Sequence, residues 1–131
     1  MSDNLAERVR WANDEIINKR NLGIVRELFS ADYVLHAGGE DFRGQQFIEG
    51  FITALTAAFP DLRVEVAPLA AHGDTITWLR TNRGTHRGNF TGVAPSGRNL
   101  TWRDMVVTRF AGGKVAEEWA GSDLSAQLLA L

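Results

Sequence analysis

Apolar side chains recur every three or four residues up to Phe59 and alternate with polar ones from Leu62 nearly to the end. Leu5, Val9, Ala12, Ile16 and Ile17 predict a first helix from Asn4 to Asn18, with Asn4 and Glu7 spaced as a capping box. After a break at Lys19-Arg20, Leu22, Val25, Leu28 and Phe29 predict a second helix over Asn21 to Phe29. Tyr33-Val34-Leu35-His36 is a short β-prone segment ended by Gly38-Gly39. A third helix fits Gln45 to Phe59, where Phe47, Ile48, Phe51, Ile52, Leu55 and Phe59 form one stripe and Pro60 stops it.

In the alternating half, Leu62, Val64 and Val66 are separated by Arg63 and Glu65, and Gly73-Asp74 turns the chain into a strand over Thr75 to Arg87. A loop rich in breakers, Gly88 to Asn99, leads to a hairpin from Leu100 to Gly121, and Asp123 is placed to cap a short helix over Leu124 to Ala130. Helices first and a meander second predict an α+β domain, with the helices on one face of a curved, mostly antiparallel sheet. The other face would display Leu79, Met105, Val107 and Trp119, a large apolar patch on a monomer, so a homodimer through that outer face is expected.

The hairpin carries the chemistry. Trp102, Asp104, Val106, Thr108 and Phe110 share one face of its first strand, which places a carboxylate among apolar neighbours. The position of Glu118 depends on the turn. With Gly112-Gly113 as a two-residue turn, Phe110 opposes Val115, the shared face carries Val115, Glu117 and Trp119, and Asp104 is solitary. With Ala111 looped out as well, Val106 opposes Glu118, Asp104 opposes Ala120, and the two carboxylates lie diagonally within roughly 8 Å.

At 131 residues and 44% hydrophobic, the chain predicts one domain spanning residues 1 to 131. A net charge of −2 argues against nucleic acid or an anionic membrane surface as the main partner. There are no cysteines, which excludes disulfides and thiolate chemistry. The start reads as no signal peptide and no apolar run is long enough for a membrane span, so a cytoplasmic protein is the expectation. His36, His72 and His86 are too dispersed for a metal set, and no strand-to-helix step follows Gly97-Arg98, so neither metal nor nucleotide cofactor is expected. His72 should face solvent and His86 the rim of a site. His36, before a Gly-rich loop, is either a polar pocket group that shuttles a proton or a histidine satisfied by a backbone carbonyl.

Leu28-Phe29-Ser30-Ala31-Asp32-Tyr33-Val34-Leu35-His36, Ala58-Phe59-Pro60-Asp61-Leu62, Gly84-Thr85-His86-Arg87-Gly88, Gly92-Val93-Ala94-Pro95-Ser96-Gly97-Arg98 and Gly113-Lys114-Val115-Ala116-Glu117-Glu118-Trp119 together resemble the SnoaL-like polyketide and ester cyclase family, of the nuclear transport factor two fold. The resemblance implies a cone of bent sheet and three helices around a pocket, commonly in a dimer. It also implies acid–base groups on the last two long strands. Where cyclases and the related epoxide hydrolase carry a catalytic aspartate this chain has Ala120, and where cyclases and ketosteroid isomerase carry a histidine or aspartic acid it has Val106. Asp104 and Glu118 each stand two residues away and can replace the missing groups.

Two functions follow. The first is an enzyme without cofactor or metal, of cyclase, isomerase or hydrolase type, acting on a small apolar carbonyl, ester or epoxide. Asp104 or Glu118 would exchange the proton beside His36, with Tyr33, Phe51, Trp78, Trp102, Val106 and Ala120 around the substrate. The second is a non-catalytic binder of a small apolar ligand, favoured by the apolar Val106 and Ala120. An enzyme requires carboxylates open to the cavity and perturbed; a binder would have them paired with arginine, Arg80 or Arg103, or turned outwards.

Overall fold

A computed structural model describes residues 4–130. Helix α1 (Leu5–Asn13) continues into a π-helical turn (Asp14–Asn18), so the first predicted helix has its expected length. Asn4 makes no side-chain cap, and the capping box is not formed. The Asn18 side chain instead ties this end to the sheet, accepting from Val64 N at 2.8 Å and donating to Val64 O at 3.1 Å. The second helix is shorter than its periodicity predicts: a 3-10 turn (Leu22–Ile24) and α2 (Val25–Leu28) end where Phe29 becomes extended. Helix α3 (Gln45–Ala58) follows Gly44, whose φ of 91° favours glycine, and ends before Pro60. Helix α4 (Leu124–Leu129) lacks the expected side-chain cap, because Asp123 Oδ1 accepts from Arg103 N.

Strands β1 (Phe29–Ala37), β2 (Glu40–Arg43), β3 (Arg63–His72), β4 (Thr75–Thr85), β5 (Asn99–Ala111) and β6 (Lys114–Ser122) form one sheet in the order β2-β1-β6-β5-β4-β3. Only β1 and β6 pair in parallel, so the sheet is mostly antiparallel. The short edge strand β2 follows the turn at Gly38-Gly39, whose φ values are both positive. Nothing in Glu40-Asp41-Phe42-Arg43 alternates strongly enough to predict it.

The core lies between the helices and one face of the sheet. Phe59, fully buried, packs on Trp102 with ring centroids 4.8 Å apart. On the outer face Met105 and Trp119 are 48% and 41% exposed. No helix among the described residues is long and apolar enough to cross a membrane.

Candidate active site

The β5–β6 hairpin combines both predicted registers. Gly112 and Gly113, at φ of 58° and 79°, make the two-residue turn that puts Phe110 opposite Val115. Past that pair a bulge absorbs Ala116, so Arg109 meets Glu117, Thr108 meets Glu118 and Val106 meets Ala120. Glu118 therefore turns to the same concave face as Asp104, as the longer loop would have placed it. The expected diagonal contact is not made. Asp104 opposes Ser122, four residues from Thr108 along β5, and the Val106–Ala120 pair lies between the two carboxylates.

This face and helices α1 and α3 enclose a cavity of about 510 Å³, within the usual range for a small-molecule site. Its walls include Tyr33, Leu35, Phe47, Phe51, Trp78, Trp102, Val106 and Ala120. The ionisable side chains that line it are Tyr33, Arg80, Asp104 and Glu118. Phe42 stacks on Phe47 at 4.7 Å and Phe47 on Phe51 at 6.0 Å, an aromatic run beside Gly38. Phe51, 40% exposed, marks this run as partly open.

Glu118 has no cation among its hydrogen-bond partners. Tyr33 Oη donates to Oε1 at 2.7 Å and Thr108 Oγ1 donates to Oε2 at 2.5 Å. Trp78 Nε1 donates to Thr108 Oγ1 at 2.9 Å. Because an indole N–H only donates, it occupies the Thr108 oxygen and leaves that hydroxyl's single hydrogen for Glu118. What surface Glu118 retains opens onto the cavity. Burial pushes its carboxyl above the ordinary carboxylate range; the Thr108 and Tyr33 hydrogen bonds, and then the charge of Arg80, oppose that rise without cancelling it. Burial and the Glu118 charge push the Tyr33 phenol upward, so it stays a neutral donor.

Asp104 is held differently. Its Oδ2 accepts from Arg80 Nε at 2.8 Å and from Asn82 Nδ2 at 3.1 Å. The arginine expected as a structural partner for Glu118 is thus engaged with Asp104, and Arg103 lies on the other face of β5. By sequence alone Thr108 is only a residue on the β5 face and Arg80 only an ion-pair partner. The alternation of β4, where Trp78, Arg80 and Asn82 share a face, was the available signal for Arg80.

His36 does not reach the cavity. Leu35 faces inward, so His36 faces out, with Nδ1 2.7 Å from Asp41 Oδ1 and Nε2 2.6 Å from Glu117 Oε2, stacked on Trp119 at 5.3 Å. Its expected catalytic role is therefore corrected to a bridge between acidic side chains. The Glu117 and Asp41 bonds push the imidazole upward, and His36 holds Glu117 down in return. His86 is also corrected: it is fully buried rather than at a rim, stacked on Phe59 at 5.4 Å, with Ser96 Oγ 3.1 Å from Nδ1. His72 is exposed as expected. Among the described residues no three His, Cys, Asp or Glu side chains gather as metal ligands.

An α+β cone with a carboxylate in a largely apolar cavity defines a class of small-molecule pocket proteins, and similarity to known families narrows it. The chain belongs to the SnoaL-like polyketide cyclase family, whose profile matches residues 7–131. It is similar in structure to AclR from Streptomyces galilaeus, described as a candidate hydroxylase, at 27% identity over 100% of this chain and 98% of that one, with a TM-score of 0.82. A candidate SnoaL-like polyketide cyclase from Jannaschia Sp. CCS1 is 26% identical over 95% of this chain and 88% of that one, at 0.84. IdmH from Streptomyces antibioticus, described as a candidate polyketide cyclase, is 27% identical over 95% of this chain and 98% of that one, at 0.78. None of the curated proteins matches the chain significantly.

Proposed function

We propose that this protein is a cyclase-type enzyme in which Glu118 moves the proton. The observation that carries the reading is a cavity-facing carboxylate held by two neutral hydroxyls and no cation, with its affinity for a proton raised by burial. Such a group is a stronger base than an ordinary carboxylate. In the step proposed, the ionised Glu118 takes a proton from a carbon beside a carbonyl, and the bonding pair moves into that carbonyl as an enolate. The enolate carbon attacks a second carbonyl of the same molecule, forming a C–C bond. The resulting alkoxide takes the proton back from Glu118. Each Glu118 oxygen accepts one protein hydrogen bond, which leaves a lone pair on each for this exchange.

The second reading, a non-catalytic binder, is favoured by the tie between Asp104 and Arg80 and by the apolar Val106 and Ala120. Proton abstraction separates the two without knowledge of the substrate. Exchange of the acidic C–H protons of 2-tetralone into deuterated buffer, followed by NMR, should run faster with the protein than in buffer, and Glu118→Gln should remove that acceleration by about 10²-fold or more. Exchange unaffected by Glu118→Gln would contradict the enzyme reading.

We also propose that two copies join through the outer sheet face, where Val107 stands opposite Trp119 and beside Met105. Met105→Lys should then convert a dimer to a monomer in analytical ultracentrifugation, and a monomeric parent protein would contradict it.

A further inference from the structure

We propose that Arg80 forms a second subsite in the cavity, where its Nη2 holds an uncharged carbonyl oxygen of the bound molecule, across the Val106–Ala120 pair from Glu118. As a statement about substrate it rests on the acid–base reading of Glu118.

The guanidinium is fixed on three sides. Nε donates to Asp104 Oδ2 at 2.8 Å, Nη1 donates to Asn13 Oδ1 at 2.9 Å, and the Trp78 ring lies 5.2 Å below Cζ. Asn13 is itself oriented, because its Nδ2 donates to Val9 O at 2.9 Å and so turns Oδ1 toward the arginine. Asp104 is braced from behind by Asn82. This leaves Nη2 without an acceptor among the described residues, and it is not shut away from accessible space. The side chain lines the cavity and keeps 21% of its surface exposed. A rigid donor with open valence at a cavity wall is a preorganised site for an oxygen acceptor.

Charge decides which acceptor. Asp104 already balances Arg80, and a ligand carboxylate at Nη2 would lie beside the Asp104 carboxylate in a poorly screened space. A ketone or ester oxygen accepts the same hydrogen bond without that repulsion. Length follows from register. Arg80 pairs with Asp104, and Thr108 pairs with Glu118, so the two rows stand four β5 residues apart, about 13 Å between Cα positions before the converging side chains shorten it. A molecule that engages both must extend past Val106 and Ala120, which suits two fused rings or a chain of equal length and excludes a single small ketone.

Three probes of one shape test this by equilibrium dialysis with the wild-type protein: 2-acetonaphthone, 2-isopropylnaphthalene and 2-naphthoate. The acetonaphthone should bind about tenfold tighter than the isopropyl compound, the worth of one hydrogen bond to a charged donor, and tighter than the naphthoate. Arg80→Met should erase the preference, so that the acetonaphthone and the isopropyl compound bind alike. Because that variant strands Asp104, the double variant Arg80→Met/Asp104→Asn gives the same readout without an unpaired carboxylate. No preference in the wild type, a preference that survives in either variant, or naphthoate as the tightest ligand would overturn the assignment. Glu118→Gln should retain the preference. Its retention together with unaltered 2-tetralone exchange would count against the Glu118 reading alone.

Discussion

Tyr33 on β1 donates to Glu118 on β6 at 2.7 Å, across the two strands that run parallel in an otherwise antiparallel sheet. The parallel pairing sets Leu35 beside Glu118, two residues along β1 from Tyr33, so the hydroxyl reaches the carboxylate from the same concave face. Burial alone would push this carboxyl higher still; the two hydroxyl donors oppose it by stabilising the ionised form that acts as a base.

Tyr33→Phe removes one of these donors. The Glu118 carboxyl should rise further, moving the acidic limb of the activity profile, where ionisation of Glu118 supplies the base, to higher pH. Stability should fall by about 1–3 kcal/mol, the cost of leaving a buried acceptor unpaired. Denaturant unfolding at neutral pH measures the second effect.

Glu118→Gln should stabilise the protein at alkaline pH relative to the wild type. The native carboxyl binds its proton more tightly than the unfolded one, whose ordinary value is 4.5. Wild-type stability therefore declines as pH rises from that value through the raised native one, and the glutamine variant escapes this decline. The gap between their melting temperatures should be larger at pH 8 than at pH 4.

His36 has the same sign in a higher pH window. Its folded value lies above 6.5, held there first by Glu117 and then by Asp41, so its contribution is complete below 6.5 and disappears as pH rises through the folded value. His36→Gln should lower the melting temperature at pH 5.5 and hardly change it at pH 9. Ligand binding in the cavity should be unaltered, since the imidazole is on the far side of the sheet.

Gly88 should not tolerate a side chain. A Cβ there would lie 2.9 Å from Ala57 O and 3.1 Å from Ala58 Cα, where the Arg87 and Gly88 amides both donate to Ala58 O. Gly88→Ala should destabilise by about 1–3 kcal/mol through overpacking at the end of α3. Thermal unfolding of the variant measures this.

The sequence made most of the scaffold legible because its signals are local. Alternation at Trp102, Asp104, Val106, Thr108 and Phe110 gave the buried face of β5, which the structure reproduces residue by residue. Pro60 and the helical stripe gave α3. What stayed hidden depends on pairing between distant segments. The Ala116 bulge follows from neither turn rule; it lies between Val115 and Glu117, where β6 changes register against both β5 and β1. His36 looked like a pocket residue by its place in the chain, and a one-residue parity, with Leu35 inside, sent it outward. His86 carries no periodic mark of burial, and the loop that covers it closes through backbone bonds between His86 and residues 97 and 98.

The chemistry proposed for the cavity depends on Glu118 being a carboxylate whose proton affinity burial has raised, and titration measures this directly. Carbon-13 NMR of side-chain-labelled glutamate, with Glu118→Gln to assign the resonance, should give a midpoint clearly above 4.5 for Glu118 and a further rise in Tyr33→Phe. A Glu118 midpoint at or below 4.5, unmoved by loss of the Tyr33 hydroxyl, would contradict the account.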